Sequence, residues 1–123
     1  MTTLLYLFDL QAGVDPADYE HWAQTVDLPR LRSLPSVRSY SILRTEASGR
    51  GHLLPETTTG HPSYIEILDV TSSEQFRADM AHPELAKVAA TFRRHARTPT
   101  VLTCGELIAA TAEALTGERP LNR

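Results

Sequence analysis

The segment Tyr64-Ile65-Glu66-Ile67-Leu68-Asp69-Val70-Thr71 is rich in β-formers and carries large apolar side chains on both alternating faces. Ile65 and Ile67 point one way, Tyr64, Leu68 and Val70 the other. Leu4 to Leu10 behaves alike, with Leu5 and Leu7 opposed to Leu4, Tyr6 and Phe8. A sheet of such strands needs cover on both faces. The chain's own helices can supply one cover, and leaving the other face in water forgoes about 25 cal/mol per Å² of apolar surface. The expectation is a helix layer over Ile65 and Ile67, and a second sheet, from another copy of the chain, over the opposite face with a cavity between the sheets.

The rest of the chain provides those helices. Asp15-Pro16-Ala17-Asp18 offers an N-cap, a proline at the first helical position and an early acid, so a helix begins there. Val14 and Tyr19 hold staple positions, and Tyr19, Trp22, Ala23 and Val26 continue along one face until Pro29 breaks the helix. Val37 to Thr45 reads as the second strand and Tyr64 to Thr71 as the third. Residues 47–62 between them, with three glycines and two prolines, form an excursion long enough to cover something. Thr71-Ser72-Ser73-Glu74 is a capping box ahead of a helix that buries Phe76 and Met80. His82-Pro83 interrupts and restarts it, after which Leu85, Val88, Ala89, Phe92 and Ala96 share one side up to Pro99. Thr100 to Ile108 is the last strand. The order β-α-β-β-α-β predicts an α+β, ferredoxin-like domain over residues 1–108, an antiparallel sheet with helices on one face, followed by a tail at 109–123.

Composition narrows the function. With 123 residues the chain holds one domain, and a net charge of -3 provides no basic field for nucleic acid. Cys104 is the single cysteine, so no intramolecular disulfide forms, and a reducing cytoplasm is expected. The N-terminus lacks a charged region ahead of its apolar run, and Asp9 stops that run far short of a membrane span. The five histidines form neither His-x-His nor His-Glu-x-x-His, so no metal site is expected.

Four stretches together resemble a family. Gly13-Val14-Asp15-Pro16 with Tyr19 and Trp22, Leu34-Pro35-Ser36-Val37-Arg38-Ser39-Tyr40, Tyr64 through Ser72, and Met80-Ala81-His82-Pro83 are similar to the RedY-like (HapK-type) proteins of the dimeric α/β-barrel superfamily. The resemblance implies the same fold, a homodimer and a role in bacterial prodiginine, bisindole or related natural-product pathways; no cofactor is expected.

Among residues suited to chemistry, Glu66 is expected in the cavity between sheets as a general acid or base, or else paired with Arg38 or Arg44. Tyr40, expected to share a face with Arg38, resembles in position an arginine that holds an anionic oxygen in polyketide cyclases of this superfamily; otherwise it is an interface tyrosine with a wet hydroxyl. Asp27 resembles an aspartate that follows a catalytic histidine in those cyclases, although Val26 stands before it here; otherwise it is a polar residue ending a helix. His82 suits proton transfer near neutrality and equally suits an N-cap. Tyr6, Phe8, Tyr64 and Leu68 are expected as cavity walls with Arg38, and His52 and His61 of the excursion at its mouth. His21 and His95 are expected on the surface, Cys104 as an inert hydrophobe, and Tyr19, Trp22 and Phe92 as packing.

The reading that follows is an accessory biosynthetic enzyme acting on a small aromatic intermediate (bisindole, pyrrole or polyketide-like) by cofactor-independent cyclisation, condensation or proton transfer. Cofactor-independent oxygenation, a non-catalytic carrier of a reactive intermediate and a stress-related dimer with an empty cavity stand beside it.

Overall fold

A computed structural model describes residues 2–46 and 61–107. The tail, His52 and nearly all of the 47–62 excursion lie outside them. The order is β1 (Thr2–Phe8), α1 (Pro16–Trp22), a π-helical turn (Ala23–Asp27), α2 (Leu28–Arg32), β2 (Val37–Arg44), β3 (Tyr64–Val70), α3 (Ser73–Met80), α4 (Pro83–His95) and β4 (Thr100–Gly105). The four strands pair antiparallel in the order β2-β3-β1-β4, and the helices pack on one face, giving the α+β ferredoxin-like fold.

Local chemistry sets the ends of the elements. The Asp15 side chain accepts from the Ala17 amide at 3.0 Å with Pro16 opening α1, and Gly13 turns the chain before it at φ 85°. The cap of α3 falls one residue later than the sequence pattern suggests: Ser72, rather than Thr71, accepts from the Gln75 amide at 3.0 Å. His82 caps α4, its Nδ1 accepting from the Glu84 amide at 3.3 Å.

The face assignment of the strands is inverted relative to expectation. Tyr64, Glu66, Leu68 and Val70 are buried beneath the helices of their own subunit, while Ile65 and Ile67 face outward and are half-buried. Alternation says which residues oppose each other but not which set meets the helices; aromatic packing decides it here. The Phe8 ring lies 5.7 Å from Tyr64, 5.8 Å from Tyr19 and 5.0 Å from Phe92, so the strand aromatics interlock with those of α1 and α4. Alongside this cluster, Leu4, Tyr40, Leu68 and Val70 of the sheet pack on Leu31, Phe76, Leu85 and Val88.

Two one-residue irregularities shape this layer. Pro29 has no amide hydrogen, and its ring would crowd the carbonyl of Thr25 in a regular α-helix; the chain answers with a wide turn in which the Leu28 amide donates to Ala23 O, five residues back. Residues four apart drift by roughly 40° per step on an α-helix. The wide turn takes up that drift, so Tyr19, Ala23, Asp27 and Leu31 form one buried strip, and Val26, expected to be buried, is turned outward. In β2 a bulge between Val37 and Ser39 sets Val37 opposite Val70 and Tyr40 opposite Leu68. Arg38 therefore does not share a face with Tyr40, and it is exposed.

If Leu68 anchors the helix face, Leu68→Ala should lower unfolding free energy by about 2–5 kcal/mol, the usual range for a fully buried leucine. Urea denaturation reads this directly, and a loss below about 1 kcal/mol would contradict the assignment.

Candidate functional site

The helix-sheet interface does not close completely. A cavity of about 260 Å³ remains, lined by Tyr6, Glu66 and Leu68 from the sheet, Asp27 and Leu31 from the first helical segment, and Phe76, Met80, Val88, Ala89, Phe92 and Arg93 from α3 and α4. Thr98 and Pro99 complete its rim. It lies within one subunit, between sheet and helices, rather than between two sheets as expected, because β3 turns Glu66 inward. At liquid density the space holds roughly nine waters. That suits one or two fused rings.

Two carboxyl groups reach this apolar chamber. Asp27 is carried in by the wide turn and is 4% exposed; Glu66 comes from the middle of β3 and is 5% exposed. Tyr40 donates to Asp27 Oδ2 at 2.8 Å, and Tyr19 donates to Glu66 Oε2 at 3.3 Å. Burial pushes Asp27 up to about 6 against the opposing effect of the Tyr40 hydrogen bond. Burial, with the negative charge of Asp27 adding to it, pushes Glu66 up to about 8, while the nearby Tyr40 and Tyr19 hydroxyls pull the other way. Both phenols are held protonated far above the ordinary tyrosine range, first by burial and then by the charge of Glu66. Burial thus raises both carboxyls, Glu66 further than Asp27, a difference of environment that suits distinct roles.

Of the residues singled out in sequence, Asp27, Glu66, Tyr6 and Leu68 line the cavity, and Tyr40 joins them through its hydroxyl. Asp27 is thus no mere helix end, the Tyr40 hydroxyl is not wet, and Glu66 pairs with neither Arg38 nor Arg44. Phe8 and Tyr64 stand behind the wall in the aromatic cluster. The Tyr64 hydroxyl donates to Glu20 at 2.7 Å, beside an exposed Arg44–Glu20 ion pair at 2.9 Å. Arg38 and His82 are exposed and do not line the cavity, and His61 belongs to a separate groove with Asp9, Arg44 and Ser63. His95 is not simply a surface residue: its ring stacks on Trp22 at 5.3 Å and 20°.

Sequence reasoning missed Tyr19 as a partner of Glu66, and Arg93, Thr98 and Pro99 at the rim. The four-residue spacing Tyr19-Ala23-Asp27-Leu31 was the available signal for Tyr19. Among the described residues no group of three or more His, Cys, Asp or Glu could hold a metal ion, and no helix is long and apolar enough to cross a membrane.

HapK from Hahella chejuensis superposes with a TM-score of 0.72 at 24% identity, covering 91% of this chain and 98% of that one. A dimeric ferredoxin-like protein of Thermobifida fusca gives 0.63 at 16% identity, covering 85% and 90%. SnoaB of Streptomyces nogalater, described as a cofactor-independent oxygenase, gives 0.64 at 19% identity, covering 88% and 94%. These likenesses concern the fold. No curated protein matches the chain in sequence. The family described as REDY-like protein HapK matches residues 2–107, that is, every strand and helix among the described residues and both carboxyls of the cavity, and the chain belongs to that family.

Proposed function

We propose that this protein is an accessory enzyme of natural-product biosynthesis that takes an aromatic intermediate into the cavity and directs a cofactor-independent cyclisation, condensation or proton transfer. The observation that carries the reading is the Asp27–Glu66 pair opening into one apolar chamber. Family membership and the secondary-metabolism setting of RedY-like proteins support the pathway context.

The chemistry is a proton exchange. Between pH 6 and 8 the pair holds one proton, resting mainly on Glu66. Glu66 gives it to a carbonyl or imine of the ligand, and Asp27 takes one from a ring C–H or N–H as the new bond closes, so protons balance and no electrons leave. Phe76, Phe92 and Tyr6 supply flat apolar contact, and Thr98 and Pro99 leave room for a larger ligand to protrude past the rim.

The outer sheet face supports a homodimer. Leu5, Leu7, Ile65 and Ile67 are half-buried there, and Leu43 and Leu102 are 48% and 45% exposed. A second copy covers this face, forming the dimeric α/β barrel.

Deletion of the gene, followed by addition of purified protein to the metabolite that accumulates, tests the function. The expected product forms only with protein present, its rate follows a bell with limbs near pH 6 and 8, and Glu66→Gln and Asp27→Asn each lower kcat by about 10²–10⁴-fold. Full turnover by both variants would instead favour a carrier, and a requirement for dioxygen would favour oxygenation.

The pair also makes stability depend on pH. Unfolding returns Asp27 and Glu66 to ordinary values of 3.8 and 4.5 from about 6 and about 8, so the native state binds more protons across that interval. Stability then falls as pH rises from about 4 to 8 and levels off beyond. Glu66→Gln should remove most of the decline, leaving the variant more stable than wild type at pH 9 by about 1–4 kcal/mol. Parallel denaturation curves for the two proteins would refute a buried, proton-binding Glu66. Sedimentation at micromolar concentration should find a dimer in the wild type and a monomer in Ile67→Glu; a wild-type monomer would remove the interface.

A further inference from the structure

The two phenols beside the carboxyls come from opposite layers, Tyr40 from β2 and Tyr19 from α1. Tyr40 faces Leu68 across the β2–β3 ladder while Ile42 faces Glu66, which makes Tyr40 the diagonal neighbour of Glu66 on the inner face, within reach of a tyrosine. Its hydroxyl reaches across to Asp27 on the helical layer. The bond to Asp27 is the short one, at 2.8 Å. Tyr19 reaches Glu66 Oε2 at 3.3 Å, and its ring is held by Tyr64 at 4.9 Å, Phe8 at 5.8 Å and Trp22 at 6.3 Å. Neither phenol has freedom to swing away.

We propose that Tyr19 and Tyr40 are positioning residues that decide where the shared proton rests: Tyr40 donates to Asp27 and holds it ionised, while Tyr19 donates to Glu66 and ties Oε2 back, leaving Oε1 to present the proton to the cavity. A hydroxyl has one proton to donate, and Tyr40 gives it to Asp27 Oδ2. The donated bond stabilises the charged form of Asp27, and the charge of Asp27 in turn favours keeping Glu66 neutral. The other groups facing the pair are Tyr6 from β1 and Arg93 from α4, with His95 behind Tyr19 and Trp22. Arg93 is the one cation among the lining residues, and it is exposed. The phenols are thus the donors nearest the two carboxyls. The inference deepens the acid-base reading above, in which the location of that proton assigns acid and base.

The test uses the ligand-free full chain with ¹³C-labelled Asp and Glu side-chain carboxyls, titrated by NMR. Wild type should show Asp27 deprotonating before Glu66. Tyr40→Phe should raise the Asp27 midpoint by about one unit or more, a tenfold gain in proton affinity. Tyr19→Phe should raise Glu66 and leave Asp27 within about 0.3 unit, a twofold change. Tyr64→Phe, which removes a hydroxyl serving only Glu20, should move neither. Wild-type midpoints in folded Tyr40→Phe and Tyr19→Phe, or equal movement of both carboxyls in Tyr19→Phe, would overturn the proposal. Should Tyr40→Phe fail to fold, the selective shift in Tyr19→Phe decides alone. Because no ligand is present, the outcome stands apart from the metabolite experiment: carboxyls that titrate as expected in a protein that converts nothing would sink the proposed function and leave the positioning roles intact.

Discussion

A carboxylate buried without donors costs several kcal/mol, and the chamber between sheet and helices would not tolerate Asp27 unless something met its charge. The Tyr40 hydroxyl at 2.8 Å does so. That bond joins the helical layer to the sheet at the back of the cavity, and it bears on Glu66, which burial first and the charge of Asp27 second discourage from ionising. The rest of the lining is apolar apart from the Tyr6 hydroxyl and the rim, so little else there competes for either carboxyl.

Both ends of the bond are aimed by an extra residue. On the helical side the wide turn at Ala23–Asp27, forced by Pro29, rotates Asp27 onto the strip that begins at Tyr19. On the strand side the bulge at Arg38 shifts the alternation of β2 so that Tyr40 falls inward with Val37. Regular geometry in either element would turn one partner away from the other. Each irregularity gives up a regular backbone hydrogen bond, and the polar contact it makes possible lies at the cavity.

These departures mark where the sequence was legible and where it was not. Strand positions, caps and the βαββαβ order could be read because capping residues, proline and alternating hydrophobicity act over a few neighbours, as at Asp15-Pro16 and at Leu85 through Ala96. Glu66 was legible as a carboxyl on an apolar strand face with Tyr64 and Leu68, whereas Asp27 was picked out only by its resemblance in position to an aspartate of related cyclases. The side of β3 that meets the helices was not recoverable: Ile65 and Ile67 look as fit for a core as Tyr64 and Leu68, and the choice rests on long-range contact with Tyr19 and Phe92. Val26 and Arg38 were misplaced because each was read with a perfect period, 3.6 or 2, across a segment that carries one residue too many. His82 shows the reverse, a chemically versatile side chain occupied by a local backbone bond.

Inversion of the β3 faces also separates two tasks that the chain must perform with one strand. Inward, Glu66 needs a fixed position relative to Asp27, because its proton affinity depends on a charge close by. Outward, Ile65 and Ile67 flank Glu66 in sequence and present the apolar surface that the proposed second copy covers. Packing of the proposed second copy on those two side chains would restrain the backbone of the residue between them and so stiffen the carboxyl on the other face of β3. A dimer interface of this kind would act on the site through the strand itself. It does so because a strand, unlike a helix, places neighbouring residues on opposite sides of one thin layer.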